Sequence, residues 1–360
     1  MTRRERLRRC YFHEEMDRPA VYSRTGYPAD DPSYDPLRAY LAEHSELKRG
    51  WWSGRVQGRP PVETRREPHS DDWEREVSVL HAPAGDLEAS RLVSLRGQPG
   101  LDRTHFINSA ADAETYLSLP MPEVGGEVSS FFEADREVGE AGIAEVSLGH
   151  NPGGIVAELC GSENFAIMSV TDRDVIHALL ARERDVILTR LKYLLQRGLG
   201  PYFSLAGQEF IAPPLHGPRD FDEFNIRYDR PIIDRVHEAG GRVHVHCHGA
   251  MKKVIGSFVE AGVDVLHPFE APPLGDITPA EAKQAARGPT CLEGNIQINE
   301  MYESTPERIR EQVRALIEAV FDDRRGLIVS PTASPYIRGA GGRCLPQYEA
   351  MVEAVLDWAG

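Results

Sequence analysis

Cysteine is sparse and never clustered. The five are Cys10, Cys160, Cys247, Cys291 and Cys344, an odd number with no CxxC pair. That spacing argues against a disulfide framework or a zinc ribbon and makes a reducing cytoplasm the expected compartment. No stretch approaches the roughly 18 apolar residues of a membrane-spanning helix. The opening "MTRRERLRRCYFHEE" lacks the apolar core of a secretory signal. Positive charge is in deficit: 41 Lys and Arg against 56 Asp and Glu leave a net charge of -15. A nucleic-acid partner and docking on an anionic membrane are disfavoured, and a small-molecule substrate fits better. No GxGxxG follows an early strand, so a dinucleotide-binding sheet has no support.

What is present is alternation. Residues 1–130 are rich in Arg, Asp, Pro and Gly and hold only short apolar pieces such as "AVYS" and "SVLHA". From residue 142 onward strand and helix patterns alternate. The strands read "GIAEVSLG", "PYFSLAG", "RVHVHCHG", "VDVLHPF", "TCLEGNI" and "GLIVSP". Between and after them run amphipathic segments, among them "DRDVIHALLARERDVILTRLKYLLQRG", "DFDEFNIRYDRPIIDRVHEAGG" with a bend expected at Pro231, and "TPERIREQVRALIEAVF". Such alternation implies a parallel sheet covered by helices. We therefore expect an α/β protein: a single (β/α)8 TIM-type barrel over 1–360, with an irregular N-terminal extension and 1–130 as its less regular part. Chemistry on such a barrel sits at the C-terminal ends of the strands.

One strand end concentrates reactive side chains. In "RVHVHCHG" alternate residues face opposite sides. Val243, Val245 and Cys247 share one face, and His244, His246 and His248 share the other. Buried histidines on a strand often serve only as satisfied polar groups. Two on one face at the C-terminal end of a barrel strand favour function, and an i, i+2 imidazole pair can hold a metal such as zinc. His244 lies deeper, as an orienting group or a core residue, and is a candidate acid–base residue. A metal needs further ligands, and neighbouring strand ends offer His267, Glu270, Asp276 and Glu293. Glu270 is the first choice as ligand or general base. Gln208 and Glu209 in "GQEFIAPP", and Asn295 in "CLEGN", are candidates for substrate contact.

These pieces together resemble the uroporphyrinogen decarboxylase superfamily, which includes zinc-dependent methyltransferases that move methyl groups between corrinoids and thiols. "TRRERLRRCYFHEEMDRPAVYSR" resembles the family's opening, in which a "DRPPV" segment leads to a substrate-binding arginine, here Arg24. "PRDFDEFNIRYDRPIIDRVHEAGGRVHVHCHG" resembles the approach to its "HxCG" or "HxHG" strand. "AGVDVLHPFEAPPLGD", "EGN" and "LPQYEAMVEAVLDWAG" follow the same layout. The resemblance implies a (β/α)8 barrel. The departures narrow the activity. Against the decarboxylase pattern, "SRTGYP" keeps Arg24 and lacks the second arginine. The catalytic aspartate has no equivalent, the tyrosine position falls near Met168, and the late histidine is missing from "SPTASPY". An octacarboxylate tetrapyrrole needs several cations, so haem synthesis is disfavoured. Against the methyltransferase pattern, His246 and His248 occupy the HxC ligand positions. The late cysteine position falls near Thr332, and Cys344 lies beyond it.

Two enzymatic readings follow from the resemblance. In the first, a divalent metal, zinc by preference, is held by His246, His248 and Glu270, and a methyl group reaches a small substrate from a corrinoid carried on a partner protein. No corrinoid-binding "DxHxxG" occurs in this chain. In the second, Arg24 anchors the carboxylate of a small molecule, which is decarboxylated without metal as a histidine protonates the carbanion. A non-enzymatic binding barrel is the third reading. A homodimer is among the assemblies the resemblance implies.

Overall fold

The computed structural model describes residues 1–24, 30–286 and 288–358. Its strands are β1 (Ala20–Val21), β2 (Leu47–Trp52), β3 (Val62–Ser70), β4 (Trp73–Ala82), β5 (Gly85–Ser94), β6 (Leu101–Thr104), β7 (Gly142–His150), β8 (Tyr202–Ala206), β9 (Arg242–His246), β10 (Val265–His267), β11 (Cys291–Ile296) and β12 (Leu327–Pro331). Eight of them form one curled, all-parallel sheet in the order β1-β12-β11-β10-β9-β8-β7-β2. The six strands expected from residue 142 onward are β7 to β12. They read as near-continuous apolar runs because a parallel strand is covered on both faces.

Helices cover the outside. Helix Pro306–Val320 shows how: Ile309, Val313, Leu316 and Ile317 recur at helical spacing and are all buried. Each such side chain contributes about 1.5–3 kcal/mol through burial. Thr305 caps its first turn by accepting from the Arg308 N–H. Arg227–Glu238 contains Pro231 and is preceded by a wide π turn, Asp222–Ile226. Proline's missing N–H, and its ring against the carbonyl four residues earlier, account for this local widening. Among the described residues no helix is long and apolar enough to cross a membrane.

The N-terminal region corrects the expectation of irregularity. It supplies two barrel strands, β1 and β2, and a four-stranded antiparallel sheet, β3-β4-β5-β6, inserted between β2 and β7. Most of β3 and all of β6 are exposed. Their sequences therefore carry no apolar alternation and are held by the backbone ladder and by cross-strand charges such as Arg66–Glu76, 2.8 Å.

β1 and β2 are the two edges of the parallel sheet, and one residue bridges them. Glu46 donates its backbone N–H to the Val21 carbonyl at 3.0 Å. Its carboxylate accepts the Val21 N–H at 2.7 Å. The same carboxylate binds Arg6 at 2.6 Å and Arg18 at 3.0 Å, and all three side chains are buried. Removing one partner of a buried ion pair leaves uncompensated charge. Glu46→Ala should lose about 3–5 kcal/mol of stability in urea unfolding followed by circular dichroism. Glu311→Ala, which breaks the exposed pair with Arg308, should lose less than about 1 kcal/mol.

Candidate active site

The pleat of β9 sorts its residues as the alternation predicts. Val243, Val245 and Cys247 pack in the core, and His244 and His246 line a cavity inside the sheet. Past the strand, Gly249 has φ of +113°, a conformation that suits glycine. The turn brings His248 beside His246, with ring centroids 4.7 Å apart and the rings edge to face. His248 Nδ1 meets Glu270 Oε2 at 3.0 Å, and Glu270 is buried. No Lys or Arg pairs with Glu270 among the described residues. The register of β10 against β9 sets His267 opposite His246, with the two rings stacked at 5.0 Å.

The hydrogen bonds fix the tautomers here. Arg24 Nη1 lies 2.9 Å from His246 Nδ1. A guanidinium only donates, so that nitrogen carries a lone pair. Burial, and next the Arg24 charge, hold the pKa of His246 down at about 2, so its ring is neutral. His267 Nε2 donates to the Pro331 carbonyl at 3.1 Å. Burial pushes the His267 pKa well down, so its Nδ1 is also a lone pair. Yet the two Nδ1 atoms are 2.8 Å apart. Two acceptors at that distance call for a cation between or beside them. The donor set of neutral imidazoles and a carboxylate has the chemistry of a divalent-metal site. Among the described residues no three of these groups already converge as ligands. His246, His248, His267 and Glu270 would hold the ion, with Arg24 giving up His246 Nδ1.

Below this cluster the cavity, about 410 Å³, is polar to its floor. It is lined by Arg24, Lys48, Glu145, His150, His244, His246 and Glu293, with hydroxyls from Ser147 and Ser204. Barrel interiors are ordinarily packed with branched apolar side chains. Here Lys48 makes a very short ion pair with Glu293 and lies 4.9 Å over the Tyr22 ring. Tyr11, from helix Arg3–Tyr11, donates its hydroxyl to Glu145 at 2.5 Å. His244 stands between the carboxylates, with Nδ1 3.9 Å from Glu145 and Nε2 3.6 Å from Glu293. Among the described residues neither ring nitrogen has a hydrogen-bond partner. Burial lowers the pKa of His244, which favours its neutral form, and raises that of Glu293 against the opposing pull of the Lys48 charge.

The structure thus brings Arg24, His244, His246, His248 and Glu270 to one end of the barrel. Three other candidates go elsewhere. Gln208 is fully buried and donates to Asp229 at 2.9 Å. Glu209 accepts the N–H of Gly207 at 3.1 Å. Asn295 lines a separate surface groove with Pro272 and Gln312. Two other positions named from the sequence also differ: Asp276 caps the Lys252 N–H, and Thr332 is buried and accepts from the Ile298 N–H. The sequence reading missed Tyr11, Lys48 and Glu145. Glu145 carried a usable signal, as the lone carboxylate within the apolar strand "GIAEVSLG".

Asp229 offers a test of the network that holds Gln208. Asn151 donates to it at 2.9 Å, alongside Gln208. Burial pushes its carboxyl up to about 7, against the lowering effect of those two amides. The folded state therefore keeps this proton to higher pH than the unfolded chain. Stability from this group is lost as pH rises from about 4 to about 7 and stays flat above. In urea unfolding, Asp229→Asn should remove that slope, gaining on the wild type by on the order of a few kcal/mol between about pH 4 and about pH 8. Equal slopes would contradict the assignment.

The fold has known counterparts. A methyltransferase from Methanosarcina mazei superposes with a TM-score of 0.65 at 13% identity, covering 100% of both chains. A B12-independent methionine synthase from Shewanella sp. W3-18-1, in complex with selenomethionine, gives a TM-score of 0.46 at 12% identity, over 82% of this chain and 76% of that one. No curated protein matches the sequence. Residues 105–336 match the family described as Uroporphyrinogen decarboxylase (URO-D), and the chain belongs to that family.

Proposed function

We propose that the protein is a metal-dependent methyltransferase acting on a small substrate. The observation that carries this reading is the 2.8 Å approach of two imidazole nitrogens, both acceptors, beside the His248–Glu270 pair. The similarity in fold to a methyltransferase from Methanosarcina mazei, over the whole of both chains, supports it. His246, His248 and Glu270 hold the ion, zinc by preference, with His267 as the further donor. A divalent cation there supplies a lowered pKa to a bound thiol or hydroxyl. Arg24 orients the substrate through an anionic group, and neutral His244, with no hydrogen-bond partner among the described residues, serves as the acid–base residue of the cavity. The methyl donor is a corrinoid on a separate protein. All five cysteines are free and buried, which suits the reducing cytoplasm where we place the enzyme.

The contact between Arg24 and neutral His246 favours a second reading. In it Arg24 anchors a small carboxylate and a histidine protonates the carbanion left by loss of carbon dioxide, with no metal.

Metal analysis separates the two. Protein purified without chelator should carry about one zinc-type ion per chain, and a folded His246→Ala/His248→Ala variant should carry none. Methyl transfer from methylcobalamin to a thiol should disappear in the same variant. A wild type that stays metal-free after incubation with zinc, yet decarboxylates small acids, would overturn the first reading in favour of the second.

A further inference from the structure

The charges in the cavity do not all pair within the protein. Lys48 and Glu293 satisfy each other. Arg24, at the mouth, has no carboxylate partner among the described residues, and its polar contact is His246 Nδ1. Glu145, at the floor, has no Lys or Arg partner among the described residues. Its contacts are the Tyr11 hydroxyl at 2.5 Å and His244 Nδ1 at 3.9 Å. His244 is 5% exposed, lines the same cavity, and has no hydrogen bond to either ring nitrogen among the described residues. A buried cavity therefore presents a cation at one end and a carboxylate with a free imidazole at the other.

From this arrangement we propose that the cavity binds a compact zwitterion, an amino acid or a close relative. Its carboxylate lies against Arg24, and its ammonium group lies against Glu145 and the acceptor nitrogen of His244. Charge balance carries the argument. Two cations, Arg24 and Lys48, already balance two carboxylates, Glu145 and Glu293. A simple carboxylate entering this buried space adds an uncompensated negative charge and faces Glu145. A zwitterion leaves the balance intact and gives each unpaired group its counter-ion. Spacing agrees. Arg24 meets β9 at His246 and Glu145 meets it at His244, two residues deeper, a step of about 6.6 Å. That step suits amino and carboxylate groups a few bonds apart, with a hydrogen bond at each end. The inference rests on the proposed function only for Arg24 as the carboxylate anchor; metal and methyl transfer do not enter it.

Isothermal titration calorimetry on the full chain tests it with matched sets of probes. Each set holds an α- or β-amino acid or its N-methyl derivative, the carboxylate lacking the amino group, and the amine lacking the carboxylate. In the wild type the zwitterion of at least one set should bind about tenfold or more tighter than either half. Glu145→Gln keeps the shape and an acceptor for Tyr11 but removes the charge. It should weaken the zwitterion about tenfold and tighten the amino-free carboxylate, inverting or erasing the preference. Circular dichroism and metal content, unchanged in this variant, establish that the change is local. Three results would each overturn the proposal: no zwitterion binds, the bare carboxylate binds the wild type as well as the zwitterion, or the folded variant keeps the wild-type preference. A protein that shows this selectivity but transfers no methyl group would keep the inference and lose the reaction.

Discussion

A barrel interior that contains a lysine, two glutamates and several histidines folds only if those charges are compensated inside it. The cost of stripping water from one ion is several kcal/mol even after relaxation, comparable to the whole net stability of a domain. The Lys48–Glu293 pair meets this constraint directly. It joins β2 to β11 across the interior, with Tyr22 and Tyr11 giving the ammonium aromatic faces. Tyr11 comes from the first helix and also satisfies Glu145. The N-terminal helix is thus tied to the polar floor. The same rule holds at the seam, where Glu46 answers two buried arginines while joining the edge strands.

Once the floor is neutral, the mouth is defined by what is left over. His246 and His267 come together because β9 and β10 pair in register, and neither ring can supply the proton that their contact calls for. Glu270 is buried with His248 as its partner. A metal ion would resolve both conditions at once. It would replace Arg24 at His246 Nδ1, while the guanidinium, with its other donors, lines the cavity with or without the ion.

The sequence revealed the second half of the fold because parallel strands buried on both faces leave apolar runs between amphipathic helices. β7 to β12 were legible for that reason. β1 was not, because two residues carry no period. β2 reads "LKRGWW", and its lysine and arginine look like a solvated segment, although Lys48 points into the cavity. β3 and β6 are largely exposed to water, so they have no apolar alternation to detect. At the site, His246, His248, Glu270 and Arg24 were legible from the period of two, from their place at strand ends and from family resemblance. Gln208 misled because a polar residue after a barrel strand can turn outward. It joins Asp229, Asn151 and Asn225 in a buried amide network behind the cavity wall. Glu145 and Lys48 stayed hidden because their partners lie on distant strands and in the first helix.

The central claim is a metal ion held at the mouth above a charge-balanced cavity. Anomalous diffraction from crystals of the protein grown with zinc, recorded on both sides of the zinc absorption edge, tests it most directly. The account predicts one strong anomalous peak at about 2.0–2.2 Å from His246, His248 and Glu270, with the Arg24 guanidinium displaced from His246 Nδ1. An anomalous map without that peak, and with Arg24 still bonded to His246, would contradict it.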